Sequence, residues 1–333
     1  MWDFDTGVYP GEWQEVESPV DTPLYDVVST QNGPAAVGGK GKVIGRRPDG
    51  NWGVLVENGP SGKGRAMRAI DATDDGKRIW FVGDAKSVGY YDLASGERND
   101  YTSVDTVGEN PSSDALSGTV TAVTVAGKRG REKLLFADSS GNILPAYMNE
   151  KDDPDDLRID WEFLSAPTNG TSIQAIESDS EGIGFAVDNG ARVYKTTASE
   201  GWQQVGIFDA DKSMYTAEID DETILIGGGG GFVYEREADD RWTPHNVGSF
   251  SVRALAREDG EMLAGGAGHL VYREGNSKWG RIPWHGGTAV RGITFGQGDQ
   301  ADVAVCKNGT IIEGYRGKPE GDRTSTASAS RSD

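Results

Sequence analysis

One short pattern occurs seven times along the chain. It reads Leu24-Tyr-Asp-Val-Val28, Met67-Arg-Ala-Ile-Asp71, Val120-Thr-Ala-Val-Thr124, Ile173-Gln-Ala-Ile-Glu177, Met214-Tyr-Thr-Ala217, Val252-Arg-Ala-Leu-Ala256 and Val290-Arg-Gly-Ile-Thr294. Successive copies start 43, 53, 53, 41, 38 and 38 residues apart. Each opens on an apolar residue, varies at a polar second position, usually has a small residue next and returns to an apolar one. That suits a short strand packed on both sides, and a period of this size marks a repeat architecture.

Two further elements follow each copy. The first is a pair of β-rich runs joined by glycine, as in Ala35-Ala-Val-Gly-Gly39 to Val43-Ile44, Ile79-Trp-Phe-Val-Gly83 to Tyr90-Tyr91, and Ile224-Leu-Ile-Gly227 to Phe232-Val-Tyr234. Such pairs read as hairpins. The second carries an aromatic residue: Trp52, Trp161, Trp202, Trp242 and Trp279, with Tyr101 in the corresponding place of the second unit. Each unit is therefore four strands, the content of a β-propeller blade. A lone four-stranded sheet cannot bury both faces, whereas seven stacked around an axis bury each face against the next. The expected fold is all-β, a seven-bladed propeller.

The ends of the chain imply how the ring closes. The seventh unit has strands around 290–295, 302–306 and 310–315 but no tryptophan-bearing fourth. The missing strand is found at Glu12-Trp13-Gln-Glu-Val16, so Trp13 and Val16 are expected to complete the last blade. The organisation is then an N-terminal arm over 1–11, the propeller over 12–316 and a polar tail over 317–333 containing Thr-Ser-Thr-Ala-Ser-Ala-Ser. Such a tail cannot pack by itself.

Charge narrows the setting. Asp and Glu number 53 and Lys and Arg 33, a net charge of −20 over 333 residues. Acidic disordered chains are poor in aromatics, but here 9 Trp, 11 Tyr and 9 Phe recur regularly. The chain folds, and its acidity reads as adaptation to high salt, where screening removes the self-repulsion. The charge also argues against nucleic acid as a partner, since phosphate binding needs clustered Lys and Arg. No run approaches the ~20 apolar residues of a membrane span, so no membrane insertion is expected. The start, Met-Trp-Asp-Phe-Asp, has neither the basic nor the apolar region of an export signal.

The Gly-Gly-x-Gly turns followed by a β-rich run, arginine and Asp-Gly-x-Trp resemble the BNR or sialidase-type repeat propellers and the photosystem assembly-factor propellers. The clearest copies are Gly38 to Trp52 and Gly227 to Trp242. The whole chain from 12 to 316 resembles the acidic BNR-like propellers of haloarchaea and their head-tailed viruses. The aspartate box of sialidases, Ser-x-Asp-x-Gly-x-Thr-Trp, is present only in degraded form.

Residues with chemistry are few. Glycoside cleavage needs paired carboxylates and, in sialidases, an arginine triad with a tyrosine nucleophile. Arg281-Ile-Pro283 matches a short sialidase element but falls at the wrong end of the chain for it. His245, His269 and His285 show no metal-ligand spacing. Cys306 lies in an apolar run and reads as a small buried hydrophobe. The run Gly227–Gly231 lacks the Lys-Ser/Thr of a phosphate loop and reads as a hairpin turn. Asp209-Ala-Asp-Lys-Ser213 and Glu177-Ser-Asp-Ser-Glu181 read as solvated acidic loops, able at most to hold Ca²⁺, Na⁺ or K⁺ loosely. No cofactor is expected.

One residue set stands out. The second positions of the repeated pattern are Tyr25, Arg68, Thr121, Gln174, Tyr215, Arg253 and Arg291. In a propeller these would ring the axis at one level, and three arginines there could hold an anion or a carboxylate, unless each is paired with a neighbouring Asp or Glu. The expectation is a non-enzymatic structural or interaction protein that binds through loops such as 56–66, 103–118 and 145–160. The resemblance implies a virion-surface turret, decoration or attachment element of a haloarchaeal head-tailed virus. Its partners would be capsid or tail subunits and a host surface glycoprotein or glycan. The alternatives are a cytoplasmic assembly factor or scaffold of a haloarchaeon, and a sialidase-like glycosidase.

Overall fold

The computed structural model describes residues 7–47, 49–102, 113–150, 157–179, 182–197, 201–207, 210–219, 223–236, 241–284 and 286–316. They form seven antiparallel four-stranded sheets. Six of these sheets are consecutive in sequence, with innermost strands at Leu24–Val28, Met67–Ala72, Val120–Ala126, Ile173–Ser178, Met214–Ile219 and Val252–Glu258. The seventh runs from Val290–Thr294 through Asp302–Cys306 and Ile311–Arg316, and its outermost strand is Gly11–Val16 from the other end of the chain. The pairing runs from Gly11 opposite Arg316 to Val16 opposite Ile311. Each innermost strand packs against those of both neighbouring blades, the first against the last included. The ring is closed as the displaced tryptophan strand implied.

Trp13 drives that closure. It is buried in one cluster with Tyr272, Trp284, Cys306 and Ile312. Tyr9, ahead of the strand, joins it: its ring stands 5.4 Å from Trp13 and 5.5 Å from Tyr272, and its hydroxyl donates to Asp302 at 2.7 Å. The aromatic residues of the other outer edges behave alike. Trp52 and Trp161 are buried in their strands, while Trp279 sits just before Gly280–Arg281 and Tyr101 just after Arg98–Asp100. Cys306 is fully buried, and burial pushes its thiol up to about 12.

Apolar side chains fill the space between neighbouring sheets, and the few charges placed there are paired across it. Arg78, 1 % exposed, bonds Glu132 of the next blade at 2.7 Å and Asp92 of its own at 3.3 Å, and its guanidinium lies 4.2 Å from the Tyr90 ring. Arg273 bonds both oxygens of Glu235 in the preceding blade at 2.8 and 3.0 Å. Glu313 of the last blade accepts from Trp52 Nε1 of the first at 2.8 Å and from Arg46. Ring closure therefore satisfies buried polar groups as well as apolar surface.

One expectation about loops changes. Most of 145–160 belongs to the outer strands Ile143–Glu150 and Leu157–Trp161 of the third blade; residues 151–156 and 103–112 lie outside the described residues. The run around Gly227–Gly231 is the expected turn between Ile224–Gly228 and Phe232–Arg236. Gly231 there has φ of 77°, and a Cβ on it would stand 1.9 Å from the Gly248 carbonyl oxygen, so only glycine fits.

Candidate functional site: the axial channel

The seven innermost strands enclose a cavity of about 580 Å³ along the axis. Every one of these strands carries the same irregularity. Pairing with the second strand slips between the first and third residues of the pattern, at Leu24/Asp26, Met67/Ala69, Val120/Ala122, Ile173/Ala175, Met214/Thr216, Val252/Ala254 and Val290/Gly292. A β-bulge leaves one residue unpaired and re-aims its side chain. The unpaired residue is the second position each time, and all seven side chains line the channel. The small third residue follows from crowding near the axis: a Cβ on Gly292 would stand 2.8 Å from the backbone nitrogen of Val27 in the next blade.

The seven residues do not share one fate. Arg68 is neutralised, because its Nε and Nη2 donate to the two oxygens of Asp84 at 2.8 Å each and it stacks 4.7 Å from the Tyr25 ring. Bonding from Arg68 holds the Asp84 carboxyl below the usual range. Arg68 is thus removed from the expected anion set. Thr121 donates to the Ile173 carbonyl of the next blade at 2.7 Å, and Gln174 to Ser172 Oγ at 3.0 Å. Arg253 lies flat on the Tyr215 ring of the preceding blade, 3.5 Å from its centroid. Neither Arg253 nor Arg291 has a carboxylate partner among the described residues, and Nε of Arg291 is buried without a hydrogen bond. Burial, together with the charge of Arg253 beside it, pulls the Arg291 guanidinium below its ordinary pKa.

Past the bulges the lining turns acidic. Asp26, Asp71, Glu177 and Glu218 all face the cavity, with Arg257 and Glu258 further along. Asp26 accepts from Val27 N at 2.9 Å and from Ile70 N of the next blade at 3.0 Å. Asp71 accepts from Ala72 N and from Val125 N of the next blade, both at 2.7 Å. These carboxylates close free inner edges of neighbouring sheets. Burial raises both carboxyls to about 7, against the opposing pull of those amide bonds. Glu177 is raised well above its ordinary value, by burial first and then by the charges of Glu218, Asp71 and Asp26. This tier corrects the reading of Glu177 as part of a solvated loop. The fifth positions of two quoted repeats, Asp71 and Glu177, were the sequence signal for it.

The other singled-out residues lie away from the channel. Arg281 is exposed on an outermost strand. His245 bonds Glu235 at 2.9 Å on a blade's outer edge, and His269 stands 5.1 Å from the Phe250 ring. His285 and Asp209 lie outside the described residues. Among the described residues no group of three His, Cys, Asp or Glu is placed to hold a metal ion.

No protein-family model matches the chain, and no curated protein does. Solved structures match the fold at low identity. Virginiamycin B lyase from Staphylococcus aureus superposes with a TM-score of 0.72 at 14 % identity, over 91 % of this chain and 99 % of that one. YCF48 from Cyanidioschyzon merolae gives 0.68 at 16 %, over 91 % and 98 %. YCF48 bound to D1 peptide gives 0.69 at 14 %, over 95 % and 100 %. An enzyme and a peptide-binding protein thus share this architecture, and the likeness establishes the seven-bladed fold alone.

Proposed function

We propose that the protein is a non-catalytic interaction propeller, a rigid ring that docks a protein partner. The observation that carries this reading is the exposure of large apolar side chains on the third blade: Phe163 is 82 % exposed and its neighbour Leu164 39 %, and Tyr147 of the same blade is also 39 % exposed. On a surface this acidic, large apolar side chains left in water mark a contact surface. The setting favoured by the acidity and by the resemblance to haloarchaeal virus propellers is the virion surface, with capsid or tail subunits as neighbours and a host glycoprotein or glycan opposite. A cytoplasmic assembly role is the second reading; the likeness to YCF48, solved with a D1 peptide, favours it.

The test is cross-linking mass spectrometry on native host material at molar salt. Cross-links from the third blade to capsid or tail subunits support the first setting, and cross-links to cellular assembly intermediates support the second. Purified particles lacking the chain overturn the virion setting. Replacing Phe163 and Leu164 with serine should abolish the cross-links without changing the melting temperature. Turnover of fluorogenic sialosides, or of quinupristin, with which virginiamycin B lyase has been solved, lost on Arg253→Ala, would overturn the non-catalytic reading.

A further inference from the structure

We propose that the mouth of the channel at Arg253 and Arg291 is a carboxylate-binding site that receives an acidic peptide segment of the partner. The inference rests on the interaction reading above and assigns it a second contact, distinct from the exposed apolar residues of the third blade.

Arg78, Arg273, Arg46 and Arg68 each meet a carboxylate in the fold. In a chain with 20 more negative than positive side chains, a carboxylate partner is the cheapest thing to supply. Arg253 and Arg291 both line the mouth without one among the described residues, and the charge of Arg253 disfavours that of Arg291. Arg253 is held flat by Tyr215, which covers its face and leaves the edge with its donors free. The Tyr215 hydroxyl also makes no hydrogen bond among the described residues. Two guanidinium edges and a hydroxyl at one opening match the forked acceptor geometry of a carboxylate.

The rest of the channel fixes where the anion stops. Asp26, Asp71, Glu177 and Glu218 line the cavity deeper along the same strands. An anion entering from the mouth meets Arg253 and Arg291 first, and the lining beyond them is mostly carboxyl groups that offer it no comparable pair of donors. Innermost strands begin at the face that holds the mouth, so the connections from each outer strand to the next blade surround it, including the turn at 57–66 that closes through Gly59 N to the Gly41 carbonyl at 2.7 Å. A partner lying on those connections can lower one acidic residue into the mouth. That residue supplies either a side-chain carboxylate or a chain-terminal one.

The experiment is fluorescence polarisation at the lowest salt at which the chain keeps its native circular dichroism. The probes are labelled pentaglutamate with a free C-terminus, the same peptide amidated, pentaserine with a free C-terminus, and a labelled single-stranded oligonucleotide. Binding of both pentaglutamates identifies a side-chain carboxylate as the ligand; binding of free-ended pentaserine, with loss of pentaglutamate binding on its amidation, identifies the chain terminus. Arg291→Ala and Arg253→Ala should each weaken binding at least about tenfold, as loss of a charge-assisted bond requires. Arg291→Lys, which keeps the charge and loses the fork, should fall between. Arg281→Ala should bind as the native chain does. Absence of binding to every peptide, equal binding by the Arg291 and Arg253 variants, or stronger binding to the oligonucleotide overturns the site. Cross-links from the third blade that persist in Arg253→Ala/Arg291→Ala would leave the interaction reading standing while the carboxylate site falls.

Discussion

The walls between blades and the channel they surround are built from the same sheets, yet they treat charge in opposite ways. In the walls a charged group appears only with its partner: Arg78 with Glu132 and Asp92, Arg273 with Glu235, Glu313 with Arg46 and Trp52. In the channel like charges also meet: Arg253 beside Arg291 at the mouth, next to the paired Arg68 and Asp84, and Asp26, Asp71, Glu177 and Glu218 deeper, with Arg257 on the same lining. A buried ion pair deprived of one partner leaves an uncompensated charge, so the walls tolerate no such defect. The channel groups shed part of their charge instead: Asp26, Asp71 and Glu177 hold their protons to higher pH than free carboxyls, and Arg291 is shifted toward its neutral form. Paired charge therefore marks the parts that keep the ring together, and grouped charge marks the part that is free to meet a ligand.

The largest test of this contrast opens a wall outright. Deleting residues 1–17 removes Tyr9, Trp13 and the strand paired with Ile311–Arg316. Loss of a buried tryptophan alone costs about 3–5 kcal/mol, a large part of the ~5–15 kcal/mol that holds a domain together. The truncated chain should aggregate or melt far below the full one, and a synthetic peptide of residues 7–17 should restore part of the loss. A truncation melting like the full chain would refute closure by this strand.

Next in size, Arg78→Ala should destabilise the fold by about 3–5 kcal/mol in denaturant unfolding, since it strands Glu132 in the wall, while Asp92 keeps Arg129 and the amides of Ala94 and Ser95. A loss below ~1 kcal/mol would show that the wall pairs are no more demanding than the channel.

The two regions also respond to pH with opposite sign. Asp26 and Asp71 keep their protons up to about pH 7 in the fold and only to about 4 in the unfolded chain. Folding takes up protons between those values, so their contribution to stability falls as pH rises from about 4 to 7. The slope is at most about 1.4 kcal/mol per pH unit for each proton. Asp26→Asn/Asp71→Asn should flatten it. Glu235 behaves in reverse: burial would raise its carboxyl, but bonds from His245 and Arg273 outweigh that and hold it at about 2. Its contribution is present above about pH 4.5 and is lost as pH falls toward 2. Melting curves of native chain and variants from pH 3 to 8 check both signs.

The smallest expected effect is the most discriminating. Arg291→Ala should change stability by no more than about 0.5 kcal/mol, or raise it, because it relieves the neighbouring charge of Arg253. A loss of ~2 kcal/mol or more would mean that Arg291 is part of the wall chemistry after all.

Seven strand patterns, their spacing and the displaced Trp13 strand were legible in the chain, because blade formation depends on local alternation and on the count of units. The polar second positions were legible as a set for the same reason. Their outcomes were not. The bulge that turns each of them inward depends on pairing with the second strand, and nothing in the five-residue pattern encodes the slip. Whether Arg68 meets Asp84, Arg253 meets the Tyr215 ring or Arg291 meets neither depends on turns and on blades about 40 residues away. The carboxylate tier shows this most clearly: Asp26 and Asp71 hold a third and a fifth position, unrelated in the pattern, yet each binds the amide edge of the following blade. Periodicity determined the number of sheets and how the ring closes. The closed ring alone decided which charges became neighbours, because only closure fixes distances between strands that the sequence keeps far apart.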